Sequence, residues 1–267
     1  ADLVLLCAFS LFNVHMMLVS GIGTPYDPVS KTGNVGNNYS YQNLNRVSLF
    51  FDETVQANQF IGIGGAGTTF DDLNGNRNDS SKTGYIGGGI IWARQPGAGP
   101  VRGIATPPGV PAWGSEWKKG VKEAFRHSFY YEVQGSCMSY DDAYLSLDPT
   151  YKDAFGRPLL RMTFDWHDNE IKASQYLVEK AQDMCKVLGP KAMKGDAKKD
   201  GSHYNITQYQ STHTCGGAIM GSNPKTSALN NYLQAWDVPN VFAPGANAFP
   251  QNIVYIPSGM VGALTYW

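Results

Sequence analysis

The chain offers five histidines and four cysteines as reactive side chains, and of these His213 stands in the most distinctive setting. It lies in the run Tyr209-Gln210-Ser211-Thr212-His213-Thr214-Cys215-Gly216-Gly217-Ala218-Ile219-Met220-Gly221, three residues before a Gly-Gly pair that permits close backbone approach. A neutral imidazole has its unperturbed pKa near physiological pH and can serve as a general base. Single histidines are nonetheless commonly structural, and a base is defined by geometry. His203, His213 and Cys215 would supply only three ligands at a spacing that matches no closed zinc site, so no metal is assigned. His15, His127 and His167 have no chemistry marked by their neighbours.

Two other motifs invite a chemical reading. Gly62-Ile63-Gly64-Gly65-Ala66-Gly67 satisfies the letters of the dinucleotide fingerprint, which works only as the turn between a strand and a helix. The residues after it, Thr68-Thr69-Phe70-Asp71-Asp72-Leu73-Asn74-Gly75, are turn-like, so a glycine-rich loop is expected. Asp72 to Asp79 alternates oxygen side chains as a calcium loop does, but Arg77 stands where that loop needs glycine and Thr83 where it needs a bidentate glutamate. An Asn-Gly turn at 74–75 is expected in its place.

The 267 residues suffice for one large core or two modest ones, and 42% hydrophobic with 16% charged residues is an ordinary globular composition. With 21 basic and 22 acidic side chains the formal charge is -1, which leaves no electrostatic footprint for a nucleic acid. The cysteines, Cys7, Cys137, Cys185 and Cys215, form no CxxC pair and are too sparse for a disulfide scaffold. Leu3 to Val19 is apolar, but Asp2, Asn13 and His15 interrupt it and no basic segment precedes it, so a buried strand and helix are expected, not a signal peptide or a membrane span. The absence of an initial Met suggests a processed or partial product.

These residues must be positioned by a mixture of elements. A strand over Leu3 to Ala8 and a helix over Ser10 to Val19, closed by glycine within Ser20-Gly21-Ile22-Gly23, make a strand-turn-helix unit. From Gly33 to Thr207, short β-branched and aromatic segments such as Val47 to Phe51 and Tyr130 to Val133 predict an antiparallel sheet. Helical stripes run through Trp117, Val121 and Phe125, and through Ile171, Val178, Ala181, Cys185 and Leu188. The charged stretch Lys191 to Ser202 predicts a solvated loop. Pro239 to Gly245 predicts a strand entering a turn, and Pro257 to Tyr266 a closing helix with proline in its first turn.

Three blocks, in order, resemble the glucose-methanol-choline (GMC) oxidoreductases. They are Ala8 to Gly23, strongest at its Ser-Gly-Ile-Gly end and departing from the usual Ser-Pro at Phe12-Asn13; His213 to Gly221; and Asn240 to Asn252, continuing through Ile256-Pro257-Ser258-Gly259. With Arg161-Met162-Thr163-Phe164-Asp165-Trp166-His167, they look closest to the flavoprotein subunits of bacterial gluconate, sorbitol and related polyol dehydrogenases. The resemblance covers the whole chain and is specific for the family, not the substrate.

The resemblance implies an α/β plus α+β fold, a partial FAD-binding domain packed on an antiparallel-sheet substrate domain with helices. Residues 1–36 and 211–267 would belong to the FAD-binding domain and 37–210 to the substrate-binding domain. It implies oxidation of a CH–OH group of a polyol, sugar or sugar acid by hydride transfer to flavin N5, with His213 as base. Gly245, Ala246, Pro257 and Ser258 would lie against FAD, and Thr212 and Ile256 at the substrate. The family's ADP-binding glycine fingerprint normally lies ahead of anything present in this chain. The position that usually carries a second polar side chain, His or Asn before a proline, is here Ile256; nearby Asn252 is already accounted for by the family pattern. Losing one such hydrogen bond costs about 1–3 kcal/mol, or roughly one to two decades in rate. These two departures leave an alternative of another class: a catalytically impaired GMC-fold piece acting as a carbohydrate-binding or subunit-interaction module. The resemblance further implies a cytochrome c subunit, a small accessory subunit and a periplasmic position peripheral to the inner membrane, without a span of its own.

Overall fold

The structure is a computed structural model that describes residues 1–57, 68–94, 105–208 and 212–267; the glycine run at 62–67 lies outside them. In chain order its main elements are β1 (Val4–Leu5), α1 (Ser10–Val19), β2 (Asn43–Phe50), β3 (Thr69–Phe70), α2 (Ser80–Thr83), β4 (Gly89–Arg94), α3 (Gly114–Ala124), β5 (Ser128–Gly135), β6 (Tyr144–Lys152), β7 (Pro158–Thr163), α4 (Asp168–Lys186), β8 (Ala192–Gly195), β9 (Val241–Phe242) and α5 (Ser258–Tyr266). They form two compact units. One comprises residues 1–42, 137–166 and 203–267, the other 43–136 and 167–202.

The first unit is built from distant pieces of chain. β1 and β9 pair in parallel, Val4 with Val241 and Leu5 with Phe242, which requires a long crossover between them. α1 follows β1 and buries Val14, Met17 and Leu18 against Tyr39, Tyr41, Leu145, Ala218 and Leu229. Its end is a Schellman turn: Gly21, at φ 66, sends its N–H to Leu18 O, and the Ile22 N–H reaches Met17 O at 2.9 Å, so two terminal carbonyls are satisfied. The expected glycine stop is therefore in place. β6 and β7 form an antiparallel hairpin, and α5 begins directly after Pro257.

The second unit is a five-stranded sheet in the order β3-β4-β5-β2-β8, with every pairing antiparallel. Alternation along β2 turns Val47 and Leu49 toward α4, where they join Ile91, Val133, Leu177, Val178, Ala181 and Cys185 in one core. Both predicted strands and the long helical stripe are thus found. The shorter stripe forms α3, but none of its residues is fully buried. The turn at Asn74-Gly75 is closed by a bond from Arg77 N to Asn74 O at 3.0 Å, and the Arg77 guanidinium pairs with Asp72.

One expectation is overturned. Lys191 to Ser202 is not simply a solvated loop, because it contains β8, antiparallel to β2 with Met193 opposite Leu49. Beyond it the Lys198 ammonium donates to Asn43 Oδ1 at 2.7 Å and Asn45 Oδ1 at 3.1 Å, and its N–H bonds Ser174 Oγ at 2.8 Å. The charges of this stretch hide a strand edge and a lysine seated among neutral oxygens.

α4 approaches the sheet closely because Gly89 and Gly135 are partners in adjacent strands and leave a depression for the fully buried Leu177. A Cβ on Gly89 would stand 2.4 Å from Leu177 Cδ2. Gly89→Ala is expected to destabilise the protein by about 1–3 kcal/mol through overpacking, and by clearly less in a Leu177→Ala background, since the two positions share one space. Denaturant unfolding of the two single variants and the double variant measures the coupling.

Candidate active site

In the first unit the histidine run lies between two other backbone segments. Cys215 exchanges both main-chain hydrogen bonds with Ser40 at 3.0 Å, while the N–H groups of Gly216 and Ala218 reach Ala246 O and Asn247 O at 2.9 and 3.1 Å. Glycine is required at 216: its φ is 80, and a Cβ there would lie 1.9 Å from Asn38 O. The close approach expected of the Gly-Gly pair is therefore present.

His213 itself has φ 64, a left-handed conformation uncommon outside glycine and concentrated at functional positions. Asn252, fully buried, fixes its main chain by donating from Nδ2 to His213 O at 2.7 Å. The imidazole Nδ1 is hydrogen-bonded to Gln42 Oε1, and Gln42 Nε2 donates to Val254 O at 3.0 Å. Backbone and ring are thus fixed independently.

Facing this histidine are the turn after β9 and the turn before α1. Asn13 joins them, donating from Nδ2 to Asn247 Oδ1 at 2.9 Å and to Pro244 O at 3.2 Å, while its Oδ1 accepts from Ala8 N at 2.9 Å. Asn247 Nδ2 donates to Ala243 O at 3.0 Å. A Cβ on Gly245 would stand 2.5 Å from Asn247 Oδ1, so only glycine lets the chain pass so near the amide pair.

These groups enclose a cavity of about 530 Å³ lined by Cys7, Phe9, Ser10, Asn13, Thr212, His213, Thr214, Pro244, Gly245, Ala246, Pro257, Ser258, Val261 and Thr265, a size suited to a small ligand or part of a cofactor. The structure brings six of the sequence candidates together on its walls: His213, Thr212, Gly245, Ala246, Pro257 and Ser258. Ile256 is not among these lining residues and is 43% exposed. Asn252 acts on the His213 main chain and is likewise absent from the lining. Gln42, Asn13 and Asn247 were not singled out from sequence as site residues. Asn13 did carry a signal, since a carboxamide within an apolar helix needs a partner.

None of the described lining residues carries a permanent charge. The Thr214 hydroxyl, buried at the wall, has no hydrogen-bond partner among the described residues, so a polar ligand atom would satisfy it. Cys215 is buried and its thiol is pushed up to about 12 by desolvation, partly opposed by the bond from Asn252. Burial likewise pushes the Cys185 thiol to about 11. Elsewhere, His15 Nε2 bonds Pro158 O and His127 Nδ1 bonds Val55 O, both at 2.7 Å, and His203 pairs with Asp165 at 2.6 Å. Among the described residues no cluster of His, Cys, Asp or Glu could hold a metal ion, and no helix is long and apolar enough to cross a membrane.

Comparison with known proteins gives this geometry a setting. A family profile described as GMC oxidoreductase matches residues 139–265. The whole chain is 51% identical to the gluconate 2-dehydrogenase flavoprotein of Pantoea cypripedii, covering 43% of that protein. Over 100 residues, 37% of this chain and 16% of the relative, it is 30% identical to the fructose dehydrogenase large subunit of Gluconobacter japonicus. Among solved structures, pyridoxine 4-oxidase from Mesorbium loti superposes over 99% of this chain and 50% of its own with a TM-score of 0.58, at 12% identity, which is a likeness of fold. The chain spans less than half the length of the gluconate relative.

Of the four thiols, Cys7 is exposed and Cys137, Cys185 and Cys215 are buried. Of these four, only Cys7 is expected to be modified in the native protein by a water-soluble disulfide reagent at pH 8, and all four after denaturation, as read by peptide mapping. Rapid reaction of a second thiol in the native protein would contradict this burial.

Proposed function

Because this chain belongs to the GMC oxidoreductase family, we propose that it forms the C-terminal part of an FAD-dependent dehydrogenase acting on a CH–OH group of a polyol, sugar or sugar acid. The observation that carries this reading is the placement of His213 on a neutral cavity wall with Gly245 and Ala246 among the other lining residues. The 51% identity to the gluconate 2-dehydrogenase flavoprotein favours a sugar acid.

The residues present suit the ring system of a flavin. The wall combines apolar surface from Phe9, Pro244, Ala246 and Val261 with the unpartnered Thr214 hydroxyl, and Gly245 keeps the backbone bare. Pro257 and Ser258 stand at the start of α5, where unbonded N–H groups favour negative charge. FAD, when bound, supplies the hydride acceptor. His213 takes the proton of the substrate hydroxyl, and the low polarity of the walls limits water around that transfer. Thr212 is assigned to the substrate side. Residues 1–36 and 211–267 are assigned to the FAD-binding domain and 37–210 to the substrate domain.

A second reading is supported by Ile256, which offers no donor or acceptor and is not among the cavity-lining residues: a catalytically impaired GMC-fold piece serving as a carbohydrate-binding or subunit-interaction module. Stoichiometric flavin absorbance of the purified full-length protein favours the enzyme. The relative's designation as a large subunit supports extending the proposal to an assembly, with a cytochrome c subunit and a small accessory subunit at the periplasmic face of the inner membrane.

In the full-length protein, dye-linked oxidation of gluconate, sorbitol and glucose is to be measured with and without His213→Ala. Loss of the base should lower turnover on the best substrate by about 10²–10⁴-fold. Unchanged turnover would remove His213 from the mechanism.

A further inference from the structure

We propose that Gln42 is a positioning residue that holds His213 in the tautomer with its proton on Nδ1 and its basic lone pair on Nε2. The inference rests on the reading of His213 as the base. Gln42 is fully buried, and its two amide ends have different partners. Nε2 lies 3.0 Å from Val254 O, an atom that only accepts, so this end must be the NH₂ group; the reversed amide would set two oxygens against each other. The remaining end, Oε1, meets His213 Nδ1. An amide oxygen has no proton to give, so Nδ1 carries the hydrogen and the lone pair of the neutral ring lies on Nε2.

The choice of a neutral acceptor matters as much as its placement. A carboxylate at position 42 would orient the ring equally well but would stabilise the imidazolium and hold the base protonated at neutral pH. Among the described residues, the segments around the ring contribute no permanent charge: Ser40 and Gln42 from one side, Pro244 to Asn247 from another, Asn252 to Val254, and the first turns of α5 with Thr265. The titratable groups among them are the thiols of Cys7 and Cys215, together with the phenols of Tyr41 and Tyr255 that adjoin them in sequence. The Gln42–His213 hydrogen bond thus selects the basic nitrogen.

The test uses the full-length flavoprotein labelled with ¹⁵N-histidine, with the His213 signals assigned by their loss in His213→Gln. In the wild type, Nδ1 is expected to resonate as a protonated and Nε2 as an unprotonated imidazole nitrogen. Gln42→Leu should mix the tautomers and lower turnover by on the order of 10²-fold through misplacement of the base. Gln42→Glu, nearly the same in shape, should keep the wild-type tautomer and move the acid limb of the pH–rate profile upward by about 1–3 units. A wild-type proton on Nε2 would overturn the proposal, as would Gln42→Leu with unaltered tautomer and turnover, or Gln42→Glu with an unmoved pH profile. The wild-type spectrum decides even where a variant does not fold. If His213→Gln leaves turnover unchanged, the reading of His213 as base fails whatever its tautomer; if turnover falls but the wild-type proton is on Nε2, only the role of Gln42 fails.

Discussion

Two buried carboxamides, Asn13 on α1 and Asn247 after β9, meet through a hydrogen bond of 2.9 Å, and the architecture around the cavity follows from that contact. Between them they accept from Ala8 N and donate to Ala243 O and Pro244 O, so both turns of the parallel β1–β9 pair are tied to one polar knot. Each such bond contributes only about 0.5–1.5 kcal/mol net, whereas an unsatisfied buried amide costs about 1–3 kcal/mol. The pair is therefore an arrangement that cannot be half built. It brings the Ala8–Asn13 turn to the Pro244–Asn247 turn, excludes any side chain at 245, and gives the histidine run a fixed surface against which its main-chain bonds to Ala246 and Asn247 can form.

What the sequence made legible was local. The apolar stripe of α1, the glycine at its end, the proline before α5 and the long stripe of α4 each encode structure over a few turns, and each element is found. The histidine run was legible for the same reason, since His213 and its glycines are contiguous. Gln42 was not, because its partner lies 171 residues away and an isolated glutamine in a Tyr-rich segment carries no periodic signal. Asn13 was visible as an interruption of the apolar run and a departure from the expected Ser-Pro, yet it is the residue on which the two turns close. Lys191 to Ser202 misled because charge density reports average exposure, while Met193 and Lys198 are individually held, one by a core and the other by three neutral oxygens.

The same contrast separates the two units. In the second, polar groups are absorbed into the frame: Asn43 Nδ2 bonds Glu170 O at 2.7 Å and Ser174 Oγ bonds Asn45 Oδ1 at 2.6 Å, so helix and sheet are locked by hydrogen bonds as well as by Leu177. In the first, a left-handed histidine and an unpartnered threonine hydroxyl are retained at a cavity wall. Local strain of this kind costs on the order of 1–3 kcal/mol and persists only where the surroundings over-determine it. Asn252 and Gln42 are the over-determining groups here, one acting on the main chain and the other on the ring.

The interleaving of the two units also fixes an order of events at the ribosome. Every residue of the second unit has been made once Ser202 is added, but the first remains open until the C-terminal segment arrives. Val4 must wait for Val241, which at about 5–20 residues per second is a delay on the order of ten seconds or more. During that interval the Val4–Leu5 segment, with apolar Leu3, Leu5 and Phe12 still substantially exposed even in the finished fold, lacks its parallel strand partner.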